Sequence, residues 1–218
     1  MDTLWFNIVQ WLHTLGLHVD GNTARAVGDA AATATAQLDM PSLMALAAAL
    51  GWASGFRLYV VVFIVGMLGA TGLMVLPGSL HVLEHPLMLV ASGGLLFVEF
   101  FADKIPGVDS LWDLLQSVLR VPAGAALAAG VFGADNPTMA AVAALMGGTL
   151  AATSQAAKTT TRALINTSPE PFSNVGASLA EDTVAVGAVW LALANPAVFA
   201  VVLVVAVLVM WIVTWLLW

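Results

Sequence analysis

Residues 42–76 read SLMALAAALGWASGFRLYVVVFIVGMLGATGLMVL, and the only charged side chain among them is Arg57. The roughly 30 Å hydrocarbon core of a bilayer takes about 20 apolar residues in helical form. This stretch is longer than one straight span, so it is expected to tilt, protrude or break. Five more apolar segments follow, at about 86–103, 109–133, 137–165, 170–194 and 196–218. The breaks between them are Pro77-Gly78, Pro106-Gly107, Asn136-Pro137, Pro169 with Pro171, and Asn195-Pro196, all residues that stop or start helices. The expected fold is all-α: a polytopic integral membrane protein of about six transmembrane helices.

Composition points the same way. Of 218 residues, 61% are hydrophobic and 9% charged, with a mean hydropathy of +0.96. Soluble domains carry about 25% charged residues, which they need to cover a water-facing surface. The chain has no cysteine, which excludes disulfide frameworks, thiol catalysis and cysteine metal sites. A net charge of −7 with six basic residues argues against a nucleic-acid partner, which selects a clustered basic face. The expected partners are the lipid bilayer and a small ion or solute.

Residues 1–41 differ from the rest. In MDTLWFNIVQWLHTLGL (1–17), Leu4, Trp5, Ile8, Trp11, Leu12 and Leu15 recur at helical spacing, but the run is too short to span. With Asp2 near its start it does not read as a signal peptide, and an amphipathic helix lying in the interface suits it better. If six spans alternate, Arg25, Lys104, Arg120 and Arg162 fall on one side, while the opposite loops hold His81, Glu84, His85 and Asp135. The positive-inside rule then places both termini in the cytoplasm; the expected location is a bacterial inner membrane, the bacterial part resting on the family resemblance given below.

Three spans followed by three spans suggest a repeat, divided as 1–41 for the interfacial segment, 42–133 for repeat A and 134–218 for repeat B. Gly94-x4-Glu99 in the second span parallels Gly176-x4-Glu181 in the fifth. Arg57 in the first parallels Lys158 in the fourth, each ending a run of small residues. An odd number of spans per copy inverts the second copy, the plan of many secondary transporters. Gly51, Gly55, Gly93, Gly94, Gly147, Gly148 and Gly176 read as points where helix backbones approach closely.

Charges at bilayer depth cost roughly 2.5–3.5 kcal/mol each on insertion scales, so they must face the interior and find partners. Arg57, Glu99, Lys158, Glu181 and Asp182 lie inside apolar runs; Asp103 and Lys104 are interfacial. The expected site places a cation or proton on Glu99 and Glu181, with Arg57 and Lys158 as counter-charges. Ser154 and Asn174 join the binding residues, and Ser54, Thr153, Gln155, Thr159, Thr160, Thr161 and Ser178 line a hydrated path. The bland alternative is a set of static bridges that fix helix register. A cavity reaching Glu99 or Glu181 would favour transport, and dry, fully bridged charges a scaffold.

His81-Val-Leu-Glu84-His85 matches the H-x-x-E-H pattern of inverted zinc proteases, but the flanking Pro77-Gly78 and Pro86 leave little room for the helix that chemistry needs. No nucleophile elbow, phosphate-binding loop or dinucleotide fingerprint appears. No enzymatic activity, cofactor or metal is expected.

The runs LAAALGWASGFRLY (46–59), FVEFFADKIPGVDSLWD (97–113), AGAALAAG (123–130) and GGTLAATSQAAKTTTRALINTSPEPFSNVGASLAEDTVAVG (147–187) resemble an uncharacterised bacterial membrane family, domain of unknown function 4126 (DUF4126). The resemblance covers about 42–194. It implies no activity, substrate or catalytic residue; it adds that Arg57, Glu99, Asp103, Lys104, Lys158, Glu181 and Asp182 fall within family-like motifs. The function expected from the residues is a small transporter or channel for a small ion or solute, with proton or sodium coupling open, working as a homodimer or higher homo-oligomer. The alternative is a non-transporting scaffold or partner subunit.

Overall fold

A computed structural model describes residues 38–102, 105, 108–165, 167 and 171–217. The expected interfacial helix, Arg25, Asp103 and Lys104 lie outside the described residues. Those residues form six α-helices and no strand: α1 (Met40–Ala70), α2 (Pro86–Ala102), α3 (Val108–Gly130), α4 (Pro137–Ile165), α5 (Pro171–Ala194) and α6 (Pro196–Leu217). A short 3-10 turn (Leu80–Glu84) precedes α2.

The helix starts are written in the sequence. Asp39 Oδ1 accepts from the Ser42 amide at 3.0 Å ahead of α1, and hydrogen bonding from Ser42 holds the Asp39 carboxyl below the usual carboxylate range. Asn136 Oδ1 takes the Met139 amide and Asn195 Oδ1 the Val198 amide, both at 3.1 Å. In each Asn-Pro pair the asparagine satisfies a first-turn amide, and the proline occupies a position where an amide would have no helical partner. The end of α1 falls at Ala70, earlier than the expected boundary at 76. There Thr71 Oγ1 bonds back to the Met67 carbonyl at 2.6 Å, and Gly72 takes φ +73°, which a side chain disfavours. Beyond it Met74, Leu76, Leu80 and Leu83 fold back into the core.

The first helix is the axis of the bundle. Ala45–Val61 are buried on every side, and α1 packs against each of the other five helices. A helix apolar all round suits such a central position, where protein rather than lipid covers every face. The expected break occurs at Arg57, whose φ −142° and ψ 74° leave the helical region. Just ahead of the break, α4 reaches the α1 backbone: Ser154 Oγ donates to the Trp52 carbonyl at 2.7 Å and Lys158 Nζ to the Phe56 carbonyl at 3.2 Å. Irregular backbone at bilayer depth is tolerated where protein groups satisfy it.

Small residues set the crossing of α1, α3 and α4. A Cβ added at Gly51 would collide with the backbone of Gly147, one at Gly55 with Ala151 and Ser154, and one at Gly147 with Ala128 and the Gly124 carbonyl. Backbones meeting this closely gain dispersion that bulkier pairs cannot reach. Gly94 and Gly176, the glycines of the repeat-like motif, correct the expectation: an added Cβ at either meets no atom within 4 Å.

Among the described residues, α1, α4, α5 and α6 are long and apolar enough to cross a bilayer. The second helix is apolar but has 17 residues, and the third carries Asp113 and Arg120. Only 6% of the most apolar window of α6 is buried, and Val201, Leu208, Trp211, Ile212 and Trp215 are each more than half exposed. A surface of that kind is stable against lipid and aggregates in water. The architecture is that of an all-α polytopic membrane protein.

The crossing makes a differential prediction. Gly147→Leu should lower stability by about 1–3 kcal/mol or more, as overpacking does. Gly176→Ala should be neutral or stabilising by up to about 1 kcal/mol, because alanine is the better helix former. Thermal unfolding of the two purified variants checks this, and equal losses would contradict the crossing.

Candidate functional site

Five helices bring eight charged side chains into one cluster. Arg57 comes from α1, Glu99 from α2, Asp113 and Arg120 from α3, Lys158 and Arg162 from α4, and Glu181 and Asp182 from α5. Six of them close a circuit of alternating sign. Arg57 Nη1 lies 3.9 Å from Glu99 Oε1, and the same oxygen accepts from Arg120 Nη2 at 2.8 Å. Arg120 Nη1 donates to Asp113 Oδ1 at 2.9 Å, and that oxygen also takes Lys158 Nζ at 3.0 Å. Lys158 Nζ lies 3.2 Å from Glu181 Oε2, which lies 3.5 Å from Arg57 Nε and closes the loop. Asp182 Oδ1 adds a 2.9 Å contact to Arg57 Nε. Arg162 grips Glu181 with Nε at 3.0 Å and Nη2 at 3.1 Å, the bidentate geometry that suits a carboxylate.

Four cations and four carboxylates make the cluster neutral when all are ionised. Neutrality decides whether burial is tolerable, since an isolated ion in a low-dielectric interior carries a penalty of several kcal/mol. Neutral donors and acceptors complete the shell. Gln155 Oε1 accepts from Arg120 Nη1 at 2.8 Å, and Ser178 Oγ from Arg57 Nη2 at 2.6 Å. Asn174 gives Arg162 Nη1 both its side-chain oxygen, at 3.1 Å, and its carbonyl.

Every membrane-depth charge singled out in the sequence enters this cluster. Arg57 meets Glu99, and Lys158 meets Glu181, so each cation contacts the acid of the helix that follows it. Ser154 and Asn174, expected among the binding residues, are turned to partners within the protein. Ser154 is fully buried and locks α4 to the Trp52 carbonyl; Asn174 is fully buried and serves Arg162. The expected wet wall divides in the same way. Ser54 bonds the Gly51 carbonyl, Thr160 bonds Ala156 within α4, and Gln155 and Ser178 hold arginines.

Arg120 and Arg162 also differ from expectation. Both are buried in ion pairs, at 0% and 2% exposure, and neither is the free interfacial cation that the sidedness argument counts. Asp113 is a member of the cluster not singled out from the sequence. Asp113, Gln116 and Arg120 are spaced three and four apart and are all buried, a polar stripe along α3 that was legible in the sequence.

The cluster is mostly buried. Glu99 and Arg120 have no exposed side-chain area, whereas Glu181 is 12% and Asp182 28% exposed. A groove of about 440 Å³ between α1, α4, α5 and α6 reaches the cluster at Lys158 and Glu181. Thr161 shares that polar floor, and Trp52, Phe56, Val184, Val209, Met210 and Val213 line the apolar walls. Trp52 and Phe56 pack edge to face, with centroids 5.2 Å apart. A neighbouring cleft of about 500 Å³ between α4 and α6, which includes Thr153, holds no charged residue.

The H-x-x-E-H stretch lies on the 3-10 turn. His81 Nδ1 is 2.9 Å from Glu84 Oε1, and His85 Nδ1 accepts from the Leu87 amide at the start of α2. Among the described residues no group of three or more His, Asp or Glu side chains is placed to hold a metal ion.

Removing one partner of a buried pair strands the others. Arg120→Met should destabilise the protein by about 3–5 kcal/mol, and adding Glu99→Leu should restore part of that loss. A double-mutant cycle read by thermal unfolding measures the coupling; simple additivity would place the two residues out of contact.

The comparisons bear on descent. No curated protein matches the chain, and no solved structure matches it. The family described as Domain of unknown function (DUF4126) matches over residues 44–216, a span that takes in α1 from its first turn, all of α2 to α5 and nearly all of α6, with every member of the charged cluster. The chain belongs to this family.

Proposed function

We propose that the protein is a small membrane transporter or channel for a small ion or solute, acting through the Glu181 edge of the charged cluster rather than as an enzyme. The observation that carries this reading is the groove. It brings Glu181 and Lys158 to an opening in the bundle, while the rest of the circuit stays covered by helices. Intramembrane ionisable groups that reach a cavity mark ion and substrate pathways in membrane proteins. In this reading Glu181 is the residue the transported species engages. Arg57, Lys158 and Arg162 balance it, and Glu99 with Arg120 and Asp113 forms the fixed half of the circuit.

The same reading takes six spans as a 3+3 inverted repeat with α1 matched to α4 and α2 to α5, supported by the Arg57–Glu99 and Lys158–Glu181 pairs. It places both termini in the cytoplasm of a bacterial cell, an orientation that now rests on Arg25 and Lys104. A bundle this thin, with α6 so little covered, also suits a homodimer or higher homo-oligomer.

The second reading is a scaffold whose charges only fix helix register. It is favoured by the closed circuit and by the absence of any exposed area on Glu99 and Arg120.

Proteoliposome flux across H⁺, Na⁺ and a panel of small solutes separates the two. Transport predicts a flux that falls to background with Glu181→Gln. A flux unchanged by Glu181→Gln and Glu99→Gln together would remove the carboxylates from the pathway. Absence of flux from the wild type throughout, with both variants strongly destabilised, would favour the scaffold.

A further inference from the structure

Glu181 is held unlike the other acids. Its two oxygens meet three cations from two helices: Arg162 in a bidentate grip, Lys158 at 3.2 Å and Arg57 at 3.5 Å. It is also the acid that lines the groove. A carboxylate surrounded in this way fills what is otherwise an anion site, with the protein's own side chain as the occupant. Arg162 presents its fork to two coplanar oxygens, which an exogenous carboxylate or sulfonate supplies equally well.

Two further features point to a ligand. Trp52 lines the groove and is 95% buried, and its indole N–H has no hydrogen-bond partner, although buried donors are nearly always paired. Thr161 adds a hydroxyl to the floor. The walls beyond are apolar, so a bare hydrated ion would lose its water there without compensation, whereas an organic body would bury surface favourably.

We propose that the groove binds an organic monoanion whose carboxylate or sulfonate replaces the Glu181 side chain against Arg162 and Lys158, with one proton taken up by Glu181 for each anion bound. This deepens the transport reading and rests on it only for the movement of the anion, not for its binding.

The proton follows from charge balance. The cluster is neutral with four cations and four carboxylates, so adding a monoanion alone would leave a net −1 inside the bundle. A proton from solvent added to a Glu181 oxygen restores neutrality, and no other bond forms or breaks. Glu181 takes it because it is the acid that gives up two of its three cations, Arg162 and Lys158. The charged groups facing Glu181 are Arg57 of α1 and Lys158 and Arg162 of α4, with Asp182 beside it on α5. Glu99 of α2 and Asp113 of α3 act through Arg57 and Lys158, and α6 carries no ionisable residue.

A free anion fits better than a lipid headgroup. Glu181 lies ten residues into α5 from Pro171, about 15 Å along the axis and far from the interface where lipid phosphates sit.

The test uses the full chain in nanodiscs of zwitterionic lipid, with benzenesulfonate as the probe because it stays ionised at every pH used. Binding followed by calorimetry should tighten about tenfold per pH unit, or about a hundredfold from pH 8 to pH 6, with one proton taken up per anion. Glu181→Gln, which mimics the protonated acid, should bind at both pH values with equal affinity and no proton uptake. Val209→Trp, which fills the groove without touching a charge, should weaken binding at least tenfold.

Loss of binding in folded Glu181→Gln, or wild-type affinity constant from pH 8 to 6, overturns the proposal. So does displacement of the probe by anionic lipid added to the disc, which would make a headgroup the occupant. Proteoliposomes separate this inference from the transport reading. Binding without benzenesulfonate flux sustains the site and removes the transporter. A cation flux lost in Glu181→Gln, with no benzenesulfonate binding, keeps the transporter and overturns the anion.

Discussion

A guanidinium or ammonium group buried in an apolar bundle needs an opposite charge within a few ångströms, and the architecture of this protein follows from meeting that need four times over. Arg57, Arg120, Lys158 and Arg162 are four of the chain's six basic residues, and all four end in one neutral cluster. Because the partners lie on five different helices, no two helices could satisfy the cluster alone. Packing α2 or α3 wrongly would strand Glu99 or Asp113 and unbalance the whole circuit. Buried pairs of this kind contribute little net stability against an apolar core, but they penalise alternative arrangements heavily.

The cluster depends in turn on the way α1 and α4 meet. Gly51, Gly55 and Gly147 let two backbones touch, and that contact brings Ser154 and Lys158 within reach of carbonyls beside the break at Arg57. The break then lets the Arg57 side chain serve α2 on one side and α5 on the other. Close packing, an interrupted helix and ion pairing therefore meet at one place in the bundle.

The cluster is asymmetric in its exposure. Around Glu99 and Arg120 it is sealed, and a sealed set of charges has little freedom to rearrange. Around Glu181 it opens on a groove with apolar walls and a polar floor. A neutral network with one yielding edge can exchange one charged group for another without changing its net charge. The proposed anion exchange at Glu181 rests on this asymmetry.

Much of this was legible beforehand. The helix boundaries were set by local chemistry: Asn136-Pro137 and Asn195-Pro196 cap and start helices wherever the chain goes, and the apolar lengths between them leave few options. The charges at depth were equally readable, because an ionisable residue in an apolar run must pair somewhere. Partner identity was not readable, since pairing is made across helices far apart in the chain. Arg120 and Arg162 looked interfacial by position along their segments and are buried; Ser154 and Asn174 were readable as polar residues at depth, but not that they bond the Trp52 carbonyl and Arg162. The sequence by itself determined an all-helical membrane bundle with more internal charge than lipid tolerates, because composition and helix punctuation act locally. Only the tertiary structure decided which charge meets which, and that Glu181 alone of the circuit borders the groove with Lys158, because that depends on how five helix faces are rotated about α1.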